Sequence, residues 1–203
     1  MSPSITVAIS CLNEGFHKVM LNSYPKHPKI NYLLVHQIVG LSIDRYIQGH
    51  KHLKQQGFNI IVSTEKGLSR SRNLAIENCD TDYIIFSDDD NNYDEELYNI
   101  ISRIIFKNKE CQFFSFIISD NQGEHFKKYP SVSHYHTKRS ILRLSSIENC
   151  YLMSFLKDNK VRFNESFGLG SIYPACEQPI FASDIINCGG KGIFVPEVIT
   201  YHP

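Results

Sequence analysis

The sequence predicts an α/β fold in a single domain: a mixed, mainly parallel central sheet flanked by helices. Three observations carry that prediction. Short apolar runs at residues 5–10, 31–36, 58–63 and 83–87 have the length and β-branched content of buried strands. Helical patterns fill the intervals between them, and strands joined by helical crossovers run parallel. At 203 residues the chain suits one full core and is short for two.

The elements follow in order. Residues 5–10 read ITVAIS, a first strand that ends in the polar turn Leu12-Asn13-Glu14-Gly15. Pro25 and Pro28 stop the weak helical pattern after Phe16. Residues 31–36 (NYLLVH) form the second strand, with His36 and Gln37 at its C-terminal end. Residues 46–56 predict an exposed helix stopped by Gly57, and 58–63 (FNIIVS) the third strand. Gly67 and Ser69 open a short helix to residue 78 that carries Arg70, Arg72 and Asn73; a polar turn then leads into the strand 83–87, whose far end carries Asp88, Asp89 and Asp90. Asp94, Glu95 and Glu96 open a helix to about residue 106, complementing its dipole, with Leu97, Ile100, Ile101, Ile104 and Ile105 as its buried stripe.

Beyond this point the strand–helix alternation is lost, which makes the second half of the sheet mixed. Residues 112–118 and 125–129, joined by the turn-prone 119–123, predict a β-hairpin. Residues 145–157 read as one amphipathic helix, 163–173 (FNESFGLGSIY) as a glycine-containing loop able to pass close to a ligand, and 178–188 as a helix stopped by Gly189-Gly190. Apolar runs at 193–195 and 198–203 close the chain.

Composition excludes several functions. Twenty-one basic residues balance 21 acidic ones, so no overall field draws the protein to nucleic acid or to anionic lipid, and specificity must come from local sites. No stretch approaches the ~20 apolar residues of a membrane span, and the N-terminus lacks signal-peptide features; the expectation is a soluble cytoplasmic protein. The six dispersed cysteines form no C-x-x-C pair and suit reduced core thiols. Two H-x-H pairs, His50/His52 and His134/His136, lack a cysteine or carboxylate at ligand spacing and read as exposed loop or helix residues.

Chemistry concentrates between Lys66 and Tyr93. Open α/β sheets bind ligands beyond the carboxyl ends of their strands, which is where the three carboxylates fall. In an extended segment alternate residues face the same way, so Asp88 and Asp90 point together and form a hard-cation site for Mg²⁺ or Mn²⁺ with positions open to phosphate oxygens. Arg70 and Arg72 sit at a helix start, where free N–H groups already favour anions. Cations and carboxylates one strand apart suit a metal diphosphate.

These residues resemble family 2 glycosyltransferases, nucleotide-sugar enzymes of the Rossmann-like GT-A fold. ITVAISCLNE at 5–14 is similar to the family's first strand and nucleotide-binding turn, GLSRSRN at 67–73 to its helix start, and DYIIFSDDD at 82–90 to the strand carrying its D-x-D motif. FNESFGLG at 163–170, EQPIF at 177–181 and PEVITYHP at 196–203 resemble the acceptor-side loop, the acidic catalytic motif and the closing strand. The resemblance implies inverting transfer of a sugar from a nucleoside diphosphate sugar, most often a UDP-sugar, to a hydroxyl of a glycan or lipid-linked acceptor in polysaccharide or glycoconjugate synthesis. It implies donor binding by Ser10, Leu12, Asn13, Glu14, Gln37, Ser69, Arg70, Arg72, Asn73, Asp88 and Asp89, and metal binding by Asp88, Asp90 and His202. Residues 1–93 would form the nucleotide-sugar half and 94–203 the acceptor-side half, with peripheral association at the inner face of a membrane. Relatives commonly continue past the position of Pro203.

One departure bears on catalysis. The family places its base at the second acidic residue of an E-D or E-E pair, and here the pair reads Glu177-Gln178. A neutral amide cannot accept the proton. Three accounts follow: Glu177 is the base; Asp184 or Glu165 reaches the acceptor instead; or the protein is an accessory that binds donor without efficient turnover.

Overall fold

The computed structural model describes residues 2–120 and 122–203. The first half follows the predicted βα order: β1 (Ile5–Leu12), α1 (Phe16–Leu21), β2 (Ile30–Gln37), α2 (Ile47–Gln55), β3 (Phe58–Ser63), α3 (Leu68–Glu77), β4 (Tyr83–Ser87), the two-residue β5 (Asn92–Tyr93) and α4 (Leu97–Lys107). The second half adds β6 (Phe113–Ser119), β7 (His134–Tyr135), β8 (Asn149–Leu152), α5 (Met153–Asp158), α6 (Glu177–Asn187) and β9 (Gly192–Tyr201). The nine strands among the described residues form one sheet in the order β3-β2-β1-β4-β8-β6-β9-β5, with β7 also on β9. The β1, β2, β3 and β4 pairings are parallel, as is β6 with β9, whereas β8 runs antiparallel between β4 and β6.

The strand period of two divides the core. Ile5, Val7, Ile9 and Cys11 of β1 face α1, α2 and α4 with Phe16, Val19, Leu53, Leu97 and Ile101. Ala8, Leu33, Val35, Ile84 and Phe86 face α3, α5 and α6 with Ile76, Leu156, Phe181 and Ile185. Both faces are covered, so the parallel strands read as near-continuous apolar runs.

Four expectations are corrected. Residues 145–157 are not one helix: a 3-10 turn over Ser146–Glu148 precedes β8, and only then does α5 begin. Pairing of Cys150 and Tyr151 with Ile84, Ile85, Phe113 and Phe114 overrides a helical pattern there. Residues 125–129 make no hairpin strand. After a single bridge from His125 to Ser119 the chain leaves the sheet, and the Lys127 and Tyr129 side chains turn to buried Glu148. Asn121, within the expected turn, lies outside the described residues. Asp94 to Glu96 precede α4 rather than opening it; Asp94 accepts from the Glu96 N–H, and β5 pairs with β9 just upstream. The two closing runs are one strand, β9, whose Pro196 sits in a register shift against β6 where its missing N–H costs no ladder bond.

Two smaller readings also change. Cys11, Cys79, Cys111 and Cys150 are buried, but Cys176 and Cys188 are exposed. His50 is buried, and its Nε2 lies 2.9 Å from Nδ1 of the fully buried His36. His36 Nε2 lies 3.0 Å from the Asn13 carbonyl, which can only accept, so this nitrogen donates and Nδ1 receives the His50 N–H. Phe16 stacks on the His36 ring at 4.9 Å.

Burial lowers the His36 pKa from 6.5 to about 4, and burial likewise lowers that of His50. A histidine kept neutral in the fold contributes its full stability above the unfolded pKa and loses it as pH falls from 6.5 towards 4. The loss expected from His36 over that window is about 3 kcal/mol. Urea unfolding at pH 7 and at mildly acidic pH measures it, with His36→Gln as reference. Equal pH dependence in wild type and variant would show that His36 does not carry the effect.

Candidate active site

The carboxyl ends of β1, β2 and β4 open onto a cavity of about 460 Å³ lined by Ser10, Cys11, Leu12, Gln37, Lys66, Gly67, Leu68, Asp88, Asp89, Asp90, Leu169, Gly170 and His202. Seven residues expected from sequence therefore meet here: Ser10, Leu12, Gln37, Asp88, Asp89, Asp90 and His202. Three lining residues, Leu169, Gly170 and His202, come from beyond residue 93.

The acidic run is not extended. β4 ends at Ser87, and Asp89 and Asp90 form a turn before β5. The three carboxylates diverge accordingly: Asp88 Oδ1 meets Arg72 at 3.3 Å, and Asp90 meets Lys18 Nζ at 3.0 Å and His202 Nε2 at 3.5 Å. Asp89 packs against Gly15, where a Cβ would fall 2.0 Å from its Oδ2. Burial raises the Asp89 pKa, against the lowering effect of Lys18. Among the described residues no three His, Cys, Asp or Glu side chains form a metal centre by themselves. Asp88 and Asp90 do supply the hard oxygen donors that suit a divalent ion held chiefly by a diphosphate.

Several other expected residues build the walls. Gln37 is buried and donates to the carbonyls of Glu65 and Gly67, holding the loop before α3. Asn13 exchanges hydrogen bonds with Val39, joining the loops after β1 and β2. Ser69 donates to Phe167, and Asn73 holds the Phe163 backbone and Glu165. These bonds fix the loop 163–173 against α3, and Leu68 N–H adds another to Leu169. The loop approaches so closely that at Gly168, with φ +97°, a Cβ would meet Ser69 Oγ at 3.0 Å. Glu14 and Arg70 turn to solvent-exposed ion pairs, Glu14 with Arg45 and His17, Arg70 with Glu65 and Glu165.

A second cavity, about 390 Å³, adjoins the first and is lined by Asp88, Ile118, Phe126, Leu142, Leu144, Ser145, Ser146, Ile147, Cys176, Glu177, Gln178, Pro179 and His202. Asp88 and His202 line both cavities. Beneath the junction lies Arg72, which is fully buried and lines neither cavity. Its Nη2 reaches Asp88 and its Nη1 reaches Glu177 Oε1 at 3.1 Å, while its guanidinium carbon lies 5.4 Å from the Phe163 ring centroid. One guanidinium thus ties the carboxylate that both cavities share to one that lines the second alone.

Glu177 is the first residue of α6, and its side chain is 13% exposed. Gln178 is buried and donates through Nε2 to the Tyr151 hydroxyl. Asp184 is exposed two turns further along α6 and lines neither cavity. Glu165 is held by Arg70 and Asn73. Of the aromatic residues in this half, Tyr151 is core, whereas Tyr135 and Tyr173 are exposed. Sequence reading missed Lys18 and Lys66, because nothing in their local pattern distinguishes them from ordinary surface lysines.

A family model described as glycosyl transferase family 2 matches residues 42–167. No curated protein matches the sequence. Among solved structures, S. aureus TarS 1-349 in complex with UDP-GlcNAc aligns with a TM-score of 0.72 at 16% identity, covering 98% of this chain and 58% of that one. The same TarS fragment in complex with UDP gives 0.71 at 17% identity, covering 98% and 60%. A longer S. aureus TarS chain gives 0.69 at 18%, covering 98% and 36%. The chain therefore spans less than two thirds of the length of these structures, and the likeness at this identity is one of fold.

Proposed function

The chain belongs to glycosyl transferase family 2, and from that premise we propose that it transfers a sugar from a UDP-sugar to a hydroxyl of a glycan or lipid-linked acceptor, with inversion. One observation carries the reading: two cavities meet at Asp88 and His202, with Glu177 in the wall of the second. The donor's nucleoside diphosphate occupies the first cavity and the acceptor enters the second. The UDP and UDP-GlcNAc complexes of TarS, which has the same fold, support a uridine donor.

The acceptor oxygen attacks the anomeric carbon as the bond to the diphosphate breaks, and Glu177 takes the acceptor proton. Its Oε1 is occupied by Arg72, which leaves Oε2 to face the acceptor. Lys66 lines the donor cavity, and Lys18 stands against Asp89 and Asp90; both cations favour the departing anion. Mn²⁺ or Mg²⁺, held by Asp88 and Asp90 with His202 alongside the diphosphate, would add further charge stabilisation when bound. Residues 1–93 supply most of the donor side and 94–203 most of the acceptor side. The reading carries with it a cytoplasmic location, at the inner face of a membrane where the acceptor is lipid-linked.

A thermal-shift series tests donor binding. A UDP-sugar at about a hundred times its Kd, with Mn²⁺, is expected to stabilise the fold by about 2.7 kcal/mol and raise Tm by roughly 5–10 °C. Absence of a shift with every uridine nucleotide, metal present, would sink the donor assignment.

A further inference from the structure

Residues 125–147 contain five of the chain's 21 basic residues and none of its 21 acidic ones. Lys127 is spent on buried Glu148 at 2.8 Å. Lys128, Lys138, Arg139 and Arg143 are exposed, and among the described residues none has an ion-pair partner. Large apolar side chains stand among them in water: Phe126 is 63% exposed, Val132 67% and Leu142 67%. The segment brings Lys128 to Arg143 and holds Arg139 beside Leu142. Arg143 donates to the Lys128 carbonyl at 3.0 Å, and Leu142 N–H bonds to the Arg139 carbonyl. Phe126 and Leu142 also line the second cavity, with the Phe126 ring 6.2 Å from that of His202.

We propose that this face docks the protein on an anionic lipid bilayer, with the mouth of the acceptor-side cavity against the membrane. Unpaired cations interleaved with exposed apolar side chains match that surface in both its components: charge is drawn to acidic headgroups, and the apolar groups insert at the headgroup–acyl boundary. A soluble polyanion would use the cations and leave Phe126, Val132 and Leu142 in water. No helix among the described residues is long and apolar enough to cross a membrane, and docking by this face needs none. The purpose of the contact, delivery of a membrane-held acceptor to Glu177, rests on the proposed transferase reading, while the contact itself does not.

Vesicle co-sedimentation of the full chain tests the proposal. Binding is expected to vesicles containing phosphatidylglycerol, to weaken with salt, and to be much poorer to phosphatidylcholine alone. Replacing three cations together, Lys128→Ala, Arg139→Ala and Arg143→Ala, should weaken partitioning roughly a hundredfold with unchanged far-UV circular dichroism. A second variant, Phe126→Ser with Leu142→Ser, should weaken it in a way that salt does not change. The proposal is overturned if the wild type ignores anionic vesicles, if the triple variant binds as the wild type does, or if polyphosphate binds while vesicles do not. Donor thermal shifts on the same samples separate the two readings. Lost vesicle binding with an intact shift removes only the docking, and an absent shift with intact vesicle binding removes only the donor.

Discussion

Glu177→Gln is expected to lower sugar transfer by a factor of roughly 10² to 10⁴, the usual contribution of a positioned general base, while donor binding stays close to wild type. The amide still offers an oxygen to Arg72 Nη1, so the ion-pair geometry is largely kept and the proton-accepting group is lost. Glu177 lines the acceptor-side cavity and not the donor cavity, so the defect should appear in kcat with little change in donor KM. Two companion variants sharpen the test. Asp184→Asn removes a carboxylate that lines neither cavity, and Glu165→Gln removes one already engaged by Arg70 and Asn73; both should retain most of the turnover. Near-normal transfer by Glu177→Gln would exclude Glu177 as base. Gln178→Glu is not expected to rescue it, since that side chain is buried against Tyr151 and a carboxylate there would be desolvated.

Where sequence reading succeeded, local and tertiary preferences agree. β3 and β4 match their expected bounds because each is a short apolar run bounded by turn residues; β4 is buried along its whole length, and β3, at the sheet edge, is only partly covered. β8 was illegible for the opposite reason. Residues 145–157 have an apolar spacing that serves a helix equally well, and only a slot between β4 and β6, formed by residues more than thirty positions away on either count, makes Asn149–Leu152 a strand. The same limit applies within the site. The position of the carboxylates beyond β4 could be read from the strand that precedes them, but their divergence could not, because it depends on the turn into β5 and on partners at Lys18, Arg72 and His202. Arg72 itself was expected to bind the donor. Its burial beneath the junction of two cavities follows from Phe86, Phe163 and Glu177 closing over it, and Glu177 lies 105 residues further along the chain.

That burial makes Arg72→Met the most destabilising substitution expected at this site. Methionine fills comparable space between Phe86 and Phe163, but it leaves Asp88 and Glu177 facing a site that has lost its cation. Removing one member of a buried ionic network costs about 3–5 kcal/mol. Asp88 is 37% exposed and Glu177 13%, so water screens part of the penalty, and about 2–4 kcal/mol is the expected loss in urea unfolding. Among the described residues the Arg72 Nε has no hydrogen-bond partner, so its removal gives back a little of what is lost. Arg72→Lys should keep part of the stability but not the bidentate bridge, because a single ammonium cannot present two diverging donors in a fixed plane. Its transfer rate should therefore fall further than its stability. If Arg72→Met unfolds within 1 kcal/mol of wild type, about the level of a surface ion pair, the guanidinium is not the strut that sets Asp88 and Glu177 against a shared substrate.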